Sequence, residues 1–554
     1  MSSRPQISDT TTEQALSSKL RAIDRARASE GAKTSAAKLG VEFIDLVSKT
    51  IPTTTAAIIP ETIARSAKAV AYYKDKTALK LAALEPSSAR VKELADDLTA
   101  RHHLKVSVNL ATEEGLESAF KTYQFIRPEE ASGIVRLDEN AIHKLTVEIL
   151  DYREITEKVP GASISDAVNL LLASALKINA SDIHLQPESA AISVRFRIDG
   201  VLHHVLDLQK EKFSQIKKRI KLISHLKLNV EKEPQDGSFS IKIGGNSIDL
   251  RVATLPSHFG ESIVIRILNP QGVVLSFPEL GVNEYALPIF AREIKKPNGM
   301  IITTGPTGSG KTTTLYTILN TLNEGDRQII TLEDPIEYKI PGIVQTQVDS
   351  KMGFATGLRA ILRQDPDIIM VGEIRDLETA ETAINAALTG HLVISTLHTN
   401  SAPAAIPRFL AMGVKPFLLA PSLNLVIGQR LVRRICEYCK VPFSVSDNLL
   451  TQAKTELSRL PKNILGGVDL NALVFYQGHS CKKCHGLGFK GRVGVYEFFP
   501  IDEKLAATIG SGNVSSDALA KYAESTGMIT MVQDGLLKAI RGITTIEEVF
   551  RVAK

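Results

Sequence analysis

The sequence predicts a multidomain α/β chain, and three observations carry that expectation. Its 554 residues exceed what one hydrophobic core can serve, at about 150 residues per domain. Short apolar runs that read as strands alternate with helical stretches along most of the length, the pattern of sheets covered by helices. All four cysteines fall in two Cys-x-x-Cys pairs, Cys436 with Cys439 and Cys481 with Cys484, confined to one stretch near the C-terminus. A content of 44% hydrophobic and 23% charged residues excludes a collagen-like or wholly disordered chain. A net charge of +5, with 5% aromatic residues and no Trp, gives neither the basic footprint nor the stacking surface of a nucleic-acid binder, so no nucleic-acid partner is expected. No apolar run approaches the ~18 residues of a membrane span, so a cytoplasmic protein with at most peripheral membrane contact is expected.

Residues 1–35 are rich in Ser, Thr, Ala, Lys and Arg with no aromatic residue, and read as a mobile leader. Residues 36–123 read as a small α/β domain, with strands at Ala69-Val-Ala-Tyr-Tyr and Leu79-Lys-Leu-Ala-Ala-Leu and a helix over 88–102. Residues 124–140 lack periodicity and read as a linker. A second α/β domain is expected over 141–270. Its strand Ala191-Ile-Ser-Val-Arg-Phe-Arg-Ile runs into the hairpin turn Asp199-Gly200. A helix follows with Phe213, Ile216, Ile220 and Ile223 on one face, while Lys217, Lys218 and Lys221 read as its solvated side. Residues 277–429 alternate apolar strands with helices, the pattern of a parallel sheet covered on both faces. Residues 430–500 hold the cysteines, and 501–554 read as helical. No repeat of fixed period is present.

The third domain carries the chemistry. Gly305-Pro306-Thr307-Gly308-Ser309-Gly310-Lys311-Thr312 satisfies G-x-x-x-x-G-K-[ST], after a strand at Met300-Ile-Ile-Thr-Thr and before a helix over 312–322. The glycines let successive N–H groups point at a β-phosphate, and the following helix presents its positive end. Lys311 is placed against β- and γ-oxygens, the Thr312 hydroxyl against Mg²⁺, with Thr313 next to it. ATP with Mg²⁺ is therefore the expected ligand.

Acids at neighbouring strand ends are needed for hydrolysis. Ile329-Ile-Thr-Leu-Glu333-Asp334-Pro-Ile-Glu337 ends in three carboxylates, and Asp367-Ile-Ile-Met-Val-Gly-Glu373 is a second strand ending in Glu373. Glu333 is read as part of the nucleotide site, and Glu373 as reaching Mg²⁺ through water or guiding the attacking water. A third strand, Thr389-Gly-His391-Leu-Val-Ile-Ser-Thr-Leu-His398, is bracketed by two histidines. The pattern leaves open whether these sense the γ-phosphate or are structural. The paired Cys-x-x-Cys turns can complete one tetrahedral S₄ site suited to structural Zn²⁺, with His485 as a possible substitute ligand.

These motifs together resemble the type II secretion and type IV pilus assembly ATPases. The likeness rests on the phosphate loop, Glu333-Asp-Pro-Ile-Glu337, Val371-Gly-Glu-Ile-Arg-Asp376 and Thr389-Gly-His-Leu-Val393 through His398. It extends to Ala180-Ser-Asp-Ile-His184, Val194-Arg-Phe-Arg-Ile-Asp-Gly200, Pro234-Gln-Asp-Gly237, the cysteine pairs and Gly491-Arg-Val-Gly-Val-Tyr-Glu497. The resemblance implies a RecA-like P-loop core, a preceding PAS-like domain, a small N-terminal domain and a tetracysteine zinc subdomain. It implies a homohexameric motor working on an inner-membrane platform protein, with a membrane-associated adaptor docked by the first domain. It places the catalytic glutamate at Glu337, the Walker B glutamate at Glu373, and two arginines that reach a neighbouring subunit's phosphates at Arg251 and Arg266. Both arginines fall on the polar side of their strands. Retraction ATPases of this family typically lack the first domain and the cysteines, so pilus extension, or alternatively type II secretion, is expected. A P-loop protein that grips nucleic acid with its zinc module is the alternative from another class, against which the modest charge and few aromatic residues argue. Cyclic-di-GMP binding is not expected, since only Lys38-Leu-Gly40 approaches the Arg-Leu-Gly pattern used for it.

Overall fold

A computed structural model of the chain describes residues 28–47, 49, 51–75, 78–102, 104–125, 134–136, 155–243, 246–268, 275–349, 351–512 and 514–553. Most of the leader and of the segment read as a linker lies outside these residues. The protein is a multidomain α/β chain built on three main sheets.

The first sheet holds β1 (Ala69–Lys74), β2 (Ala78–Ala83) and β3 (Lys105–Leu110) in that order. Its core gathers Val70, Leu79, Leu81, Leu98 and Phe120, and Tyr123 donates from its hydroxyl to the carbonyls of Ala56 (3.0 Å) and Ile59 (2.9 Å).

The second sheet has seven strands in the order β4-β8-β9-β10-β5-β6-β7. These are β4 (Ile134–Arg136), β5 (Asp182–Pro187), β6 (Ile192–Ile198), β7 (Val201–Leu208), β8 (Gln235–Ile243), β9 (Asn246–Ser257) and β10 (Gly260–Leu268). Neighbours pair antiparallel except β4, which joins the edge of β8 in parallel. Strand β4 comes from the segment read as a linker. Edge pairing uses backbone groups alone, so no side-chain periodicity announces it. Helices Ile164–Lys177 and Lys210–Ile223 cover one face.

On the second helix the apolar stripe lies inward as expected, but the lysines do not share one solvated side. Lys218 is exposed, whereas Lys221 is 1% and Lys217 9% exposed. Both pair with buried Glu261, Lys221 at 2.6 Å and Lys217 at 3.6 Å, and Lys217 also meets Glu231 at 2.7 Å. Positions 217 and 221 border the stripe, and a carboxylate arriving from the start of β10 makes their burial tolerable.

The third sheet also has seven strands, in the order β13-β12-β14-β15-β11-β16-β19. They are β11 (Gly299–Thr304), β12 (Ile329–Glu333), β13 (Val344–Gln347), β14 (Ile368–Val371), β15 (Leu392–Leu397), β16 (Leu423–Ile435) and β19 (Phe489–Pro500). All run parallel except β19, which returns antiparallel to β16. Alternate residues feed two cores, Met300 and Ile302 one and Ile301 the other, as expected of a sheet covered on both faces. The boundary expected at 429/430 falls inside β16, and β19, expected with the cysteines, is an edge strand of this sheet. The cysteine segment is an excursion between those two strands. Its own small sheet pairs β17 (Lys440–Phe443) with β18 (Phe475–Gly478).

The penultimate helix, Met531–Ile540, is bolted to the sheet by a buried ion pair. Asp534 and Lys538 are each 1% exposed and pair with one another. Asp534 also accepts from the Asn283 amide, from Tyr285 Oη at 2.7 Å and from the Tyr496 N–H at 2.8 Å. Removing one partner strands a buried charge. Asp534→Ala is expected to destabilise the protein by about 3–5 kcal/mol in denaturant titrations, and Asp534→Asn combined with Lys538→Met to recover part of that loss.

Candidate active site

Strand β11 is buried throughout and delivers the chain to the phosphate loop, which turns into the helix Lys311–Leu322. Gly305, Gly308 and Gly310 have φ of 155°, 79° and 86°, a region that disfavours other residues. Space is closed as well. A Cβ on Gly305 would press into the Gln429 carbonyl oxygen and lie 2.6 Å from Ser309 Oγ, and one on Gly310 would lie 2.9 Å from Gln429 Nε2. Gln429 of β16 thus forms the floor of the loop, and its side-chain oxygen accepts from Thr314 Oγ1 at 2.9 Å.

Lys311 donates to the carbonyls of Gly305 (2.8 Å) and Pro306 (3.1 Å). Burial lowers its pKa to about 8, opposed by the negative charge of Glu373 and reinforced by Arg430. The Thr312 side chain is exposed at the first turn of the helix, and Thr313 is half-buried.

Parallel register brings the other strand ends to the same edge. Glu373 follows β14, meets Arg375 Nη2 at 2.5 Å and lies 3.5 Å from His398 Nε2. His398 follows β15 and so stands on the same side. His391 does not. It precedes β15 at the opposite edge of the sheet, about 20 Å away at ~3.3 Å per residue, and its Nδ1 donates to Ala386 O at 2.9 Å. Within one chain it caps the helix Leu377–Leu388 and is not brought to the phosphate loop.

Glu333 and Glu337 also part company. Glu333 is 2% exposed, and its oxygens accept from Tyr316 Oη, Thr331 Oγ1 (2.5 Å) and Gln345 Nε2 (3.2 Å). Those bonds hold its carboxylate inside the fold and brace the loop after β12. Glu337 is exposed, and its N–H donates to Tyr316 Oη at 3.4 Å. Tyr316, on the phosphate-loop helix, therefore fixes the segment that carries Glu337.

Arg251 and Arg266 stand directly opposite each other on β9 and β10 and share one face of the second sheet. Arg266 pairs with Asp182 at 3.1 Å, and Arg197 pairs with the other oxygen of Asp182 at 3.4 Å. The tip of the β6–β7 hairpin reaches the phosphate loop of the same chain. Asp199 accepts from the Gly491 N–H at 2.8 Å, and Asp199 and Gly200 close a cavity of about 190 Å³ beside Pro306–Ser309.

The four cysteines converge although 41 residues separate the pairs. Their sulfurs lie within 4.8 Å of one another, with Cys436–Cys481 at 3.8 Å, Cys439–Cys484 at 3.9 Å and Cys481–Cys484 at 3.5 Å. Zn–S bonds of about 2.3 Å give tetrahedral edges of about 3.8 Å, so the donor set fits a closed thiolate site. Among the described residues His485 is not part of the cluster.

Residues 157–551 match the family model described as type II/IV secretion system protein. The chain belongs to that family. Type II secretion system protein E of Pseudomonas aeruginosa is 44% identical over 413 residues, covering 74% of this chain and 79% of its own. The type IV pilus assembly ATPase PilB of Myxococcus xanthus is 38% identical over 513 residues, covering 92% and 88%. The X-ray structure of the ATPase DotB of Legionella pneumophila, 20% identical, matches the fold with a TM-score of 0.52, over 71% of this chain and 96% of its own. This type II/IV secretion protein is an ATPase.

Three residues at the site escaped the sequence reading. Tyr316 looked like an ordinary core residue of an apolar helix, and Gln429 and Arg430 sit at the end of an apolar run, 124 and 125 positions beyond Gly305. Polar residues inside a buried strand were the available signal. A further consequence concerns pH. Bound phosphates raise the Lys311 pKa again, so the complex keeps a proton that the free protein gives up above about pH 8. Affinity for ADP is expected to fall as pH rises through that value, approaching tenfold per unit, in calorimetric titrations between pH 7 and 9.5. Lys311→Met should bind more weakly and lose this slope.

Proposed function

We propose that the chain is the subunit of a homohexameric cytoplasmic motor that hydrolyses ATP to extend a type IV pilus at an inner-membrane platform. The observation that carries this reading is the reach of the PilB alignment. Covering 92% of the chain, it must take in part of the first domain, whereas an alignment over 74% need not. Driving a pseudopilus in type II secretion is the second reading, favoured by the higher identity of 44%.

In this proposal the loop N–H groups and Lys311 hold the β- and γ-phosphates. The Thr312 hydroxyl, open at the helix start, and Glu373, opposite it, would hold Mg²⁺, which supplies charge neutralisation across the phosphate oxygens when bound. Glu337 accepts a proton from the attacking water, and Tyr316 keeps its segment in place. His398 beside Glu373 is suited to respond to the γ-phosphate. Arg251 and Arg266 of a neighbouring subunit stabilise the transferred charge. Such arginines are worth about 10³ to 10⁵ in rate, so an isolated subunit is nearly inactive.

The first domain docks a membrane-associated adaptor, and the motor acts on a platform protein, so membrane contact is peripheral. Among the described residues no helix is long and apolar enough to cross a membrane, which is compatible with that placement.

ATPase rate measured against protein concentration, with light scattering for mass, tests the motor reading. Specific activity should rise as rings assemble and fall by at least about 10³ in Arg251→Ala, with Glu337→Ala inactive at every concentration. Activity independent of concentration and indifferent to Arg251 would mean a self-contained ATPase. For the cysteine cluster, elemental analysis should return one Zn²⁺ per chain, and Cys481→Ser should release it and lower the melting temperature.

A further inference from the structure

Two cations flank the phosphate loop, and their hydrogen bonds go to uncharged oxygens. Those of Lys311 go to Gly305 O and Pro306 O. Arg430, on β16, donates from Nη1 to Gln429 O (3.3 Å) and from Nη2 to Asn400 O (3.1 Å), with Asn400 Oδ1 at 3.5 Å. Among the described residues three acids lie near, and each is bonded to other groups: Asp199, which lines the same cavity, accepts from the Gly491 N–H, while Glu373 and Glu497 act on the two cations only through their charge. Glu373 is held by Arg375, and Glu497, buried behind the strand, accepts from the N–H groups of Ala402 and Met531. Burial lowers the pKa of both cations, which marks charge held without full compensation. A buried lysine and a half-buried arginine whose hydrogen bonds go only to carbonyl oxygens are prepared for an anion.

The geometry says which part of the anion. Strand β11 lies between β15 and β16, so the loop has two flanks. Glu373 and His398 occupy the β14–β15 flank. Arg430 occupies the other, where it lines the 190 Å³ cavity together with Pro306–Ser309. Its guanidinium rests against the first glycine of the loop, 3.3 Å from where a Gly305 Cβ would stand. A guanidinium has five N–H donors, and those used by carbonyls leave others for the cavity.

We propose that Arg430 is a second phosphate-binding side chain of the cradle, acting on the diphosphate that ATP and ADP share, on the flank away from Glu373. The proposal rests on reading the loop as the nucleotide site. The bland alternative is that Arg430 only braces the 399–401 turn against the loop. Bracing alone would not require a guanidinium on the wall of the cavity beside Pro306–Ser309, where its remaining donors could meet a phosphate in the two-pronged manner of an arginine fork.

The test uses the full chain and measures ADP and ATP dissociation constants for the wild type, Arg430→Gln and Arg430→Lys, with melting temperatures without nucleotide. Arg430→Gln is expected to weaken both nucleotides by the same factor, about 10- to 100-fold, with Arg430→Lys recovering part of the loss. A parallel experiment on the unaltered protein reads phenylglyoxal modification of Arg430 by peptide mass spectrometry, where saturating ADP should protect it at least about fivefold. Unchanged affinity in a folded Arg430→Gln overturns the proposal. If that variant does not fold, modification of Arg430 at the same rate with and without ADP overturns it instead. A wild type that binds neither nucleotide would instead overturn the reading of the loop itself, and this proposal with it.

Discussion

The edge of the sheet that carries the phosphate loop depends on the register of six parallel strands. A slip of one residue in any of them would send each side chain into the wrong core, so the two cores that clamp the sheet also fix where each strand ends. Because β11, β12, β14, β15 and β16 are held in this way, residues far apart in sequence arrive at one border: Gly305, the Glu333 segment, Glu373, His398 and Gln429. The loop needs this support, since its glycines leave no side chains of their own to pack. Gln429 supplies it from below, through both its backbone carbonyl and its amide.

Charge buried away from the site does a different job. The Asp534–Lys538 pair joins the penultimate helix to Tyr496, 38 positions before Asp534, and to Asn283 and Tyr285, 251 and 249 positions before it. Glu548 repeats the device, taking Arg433 at 2.7 Å and Arg551 at 2.7 Å, and its pKa falls to about 2 because those bonds outweigh its burial. In the second domain Glu261 collects Lys217 and Lys221. Such pairs add little net stability against an apolar substitute, but a mismatched partner is heavily disfavoured, so they specify which surfaces meet.

What the sequence made legible was local. The phosphate loop, the apolar strands around it and the cysteine pairs each declare themselves within a dozen residues, and their chemistry follows from residue types at fixed spacing. What stayed hidden needed a partner from elsewhere. Lys221 reads as solvated until Glu261 is placed beside it, 40 positions on. The sequence sets Glu333 among the strand-end acids, and only the fold shows Tyr316, Thr331 and Gln345 bonded to its oxygens. His391 and His398 look equivalent because both flank β15, yet a strand has two ends and only one faces the loop. The family resemblance named the arginines of the second domain, and register alone placed Arg251 opposite Arg266.

Strand β16 carries one more consequence. Its 13 residues span roughly 43 Å at ~3.3 Å per residue, with Gln429 near the middle and Cys436 just past the end. Paired along its length with β19, it is a stiff ribbon, and a ribbon pulled along its axis yields in shear across many rungs at once rather than unzipping singly. The cysteine excursion leaves from the far end of that ribbon, so one continuous strand joins it to Gln429 at the floor of the phosphate loop, with a shift of register between Arg433 and Ile435 on the way.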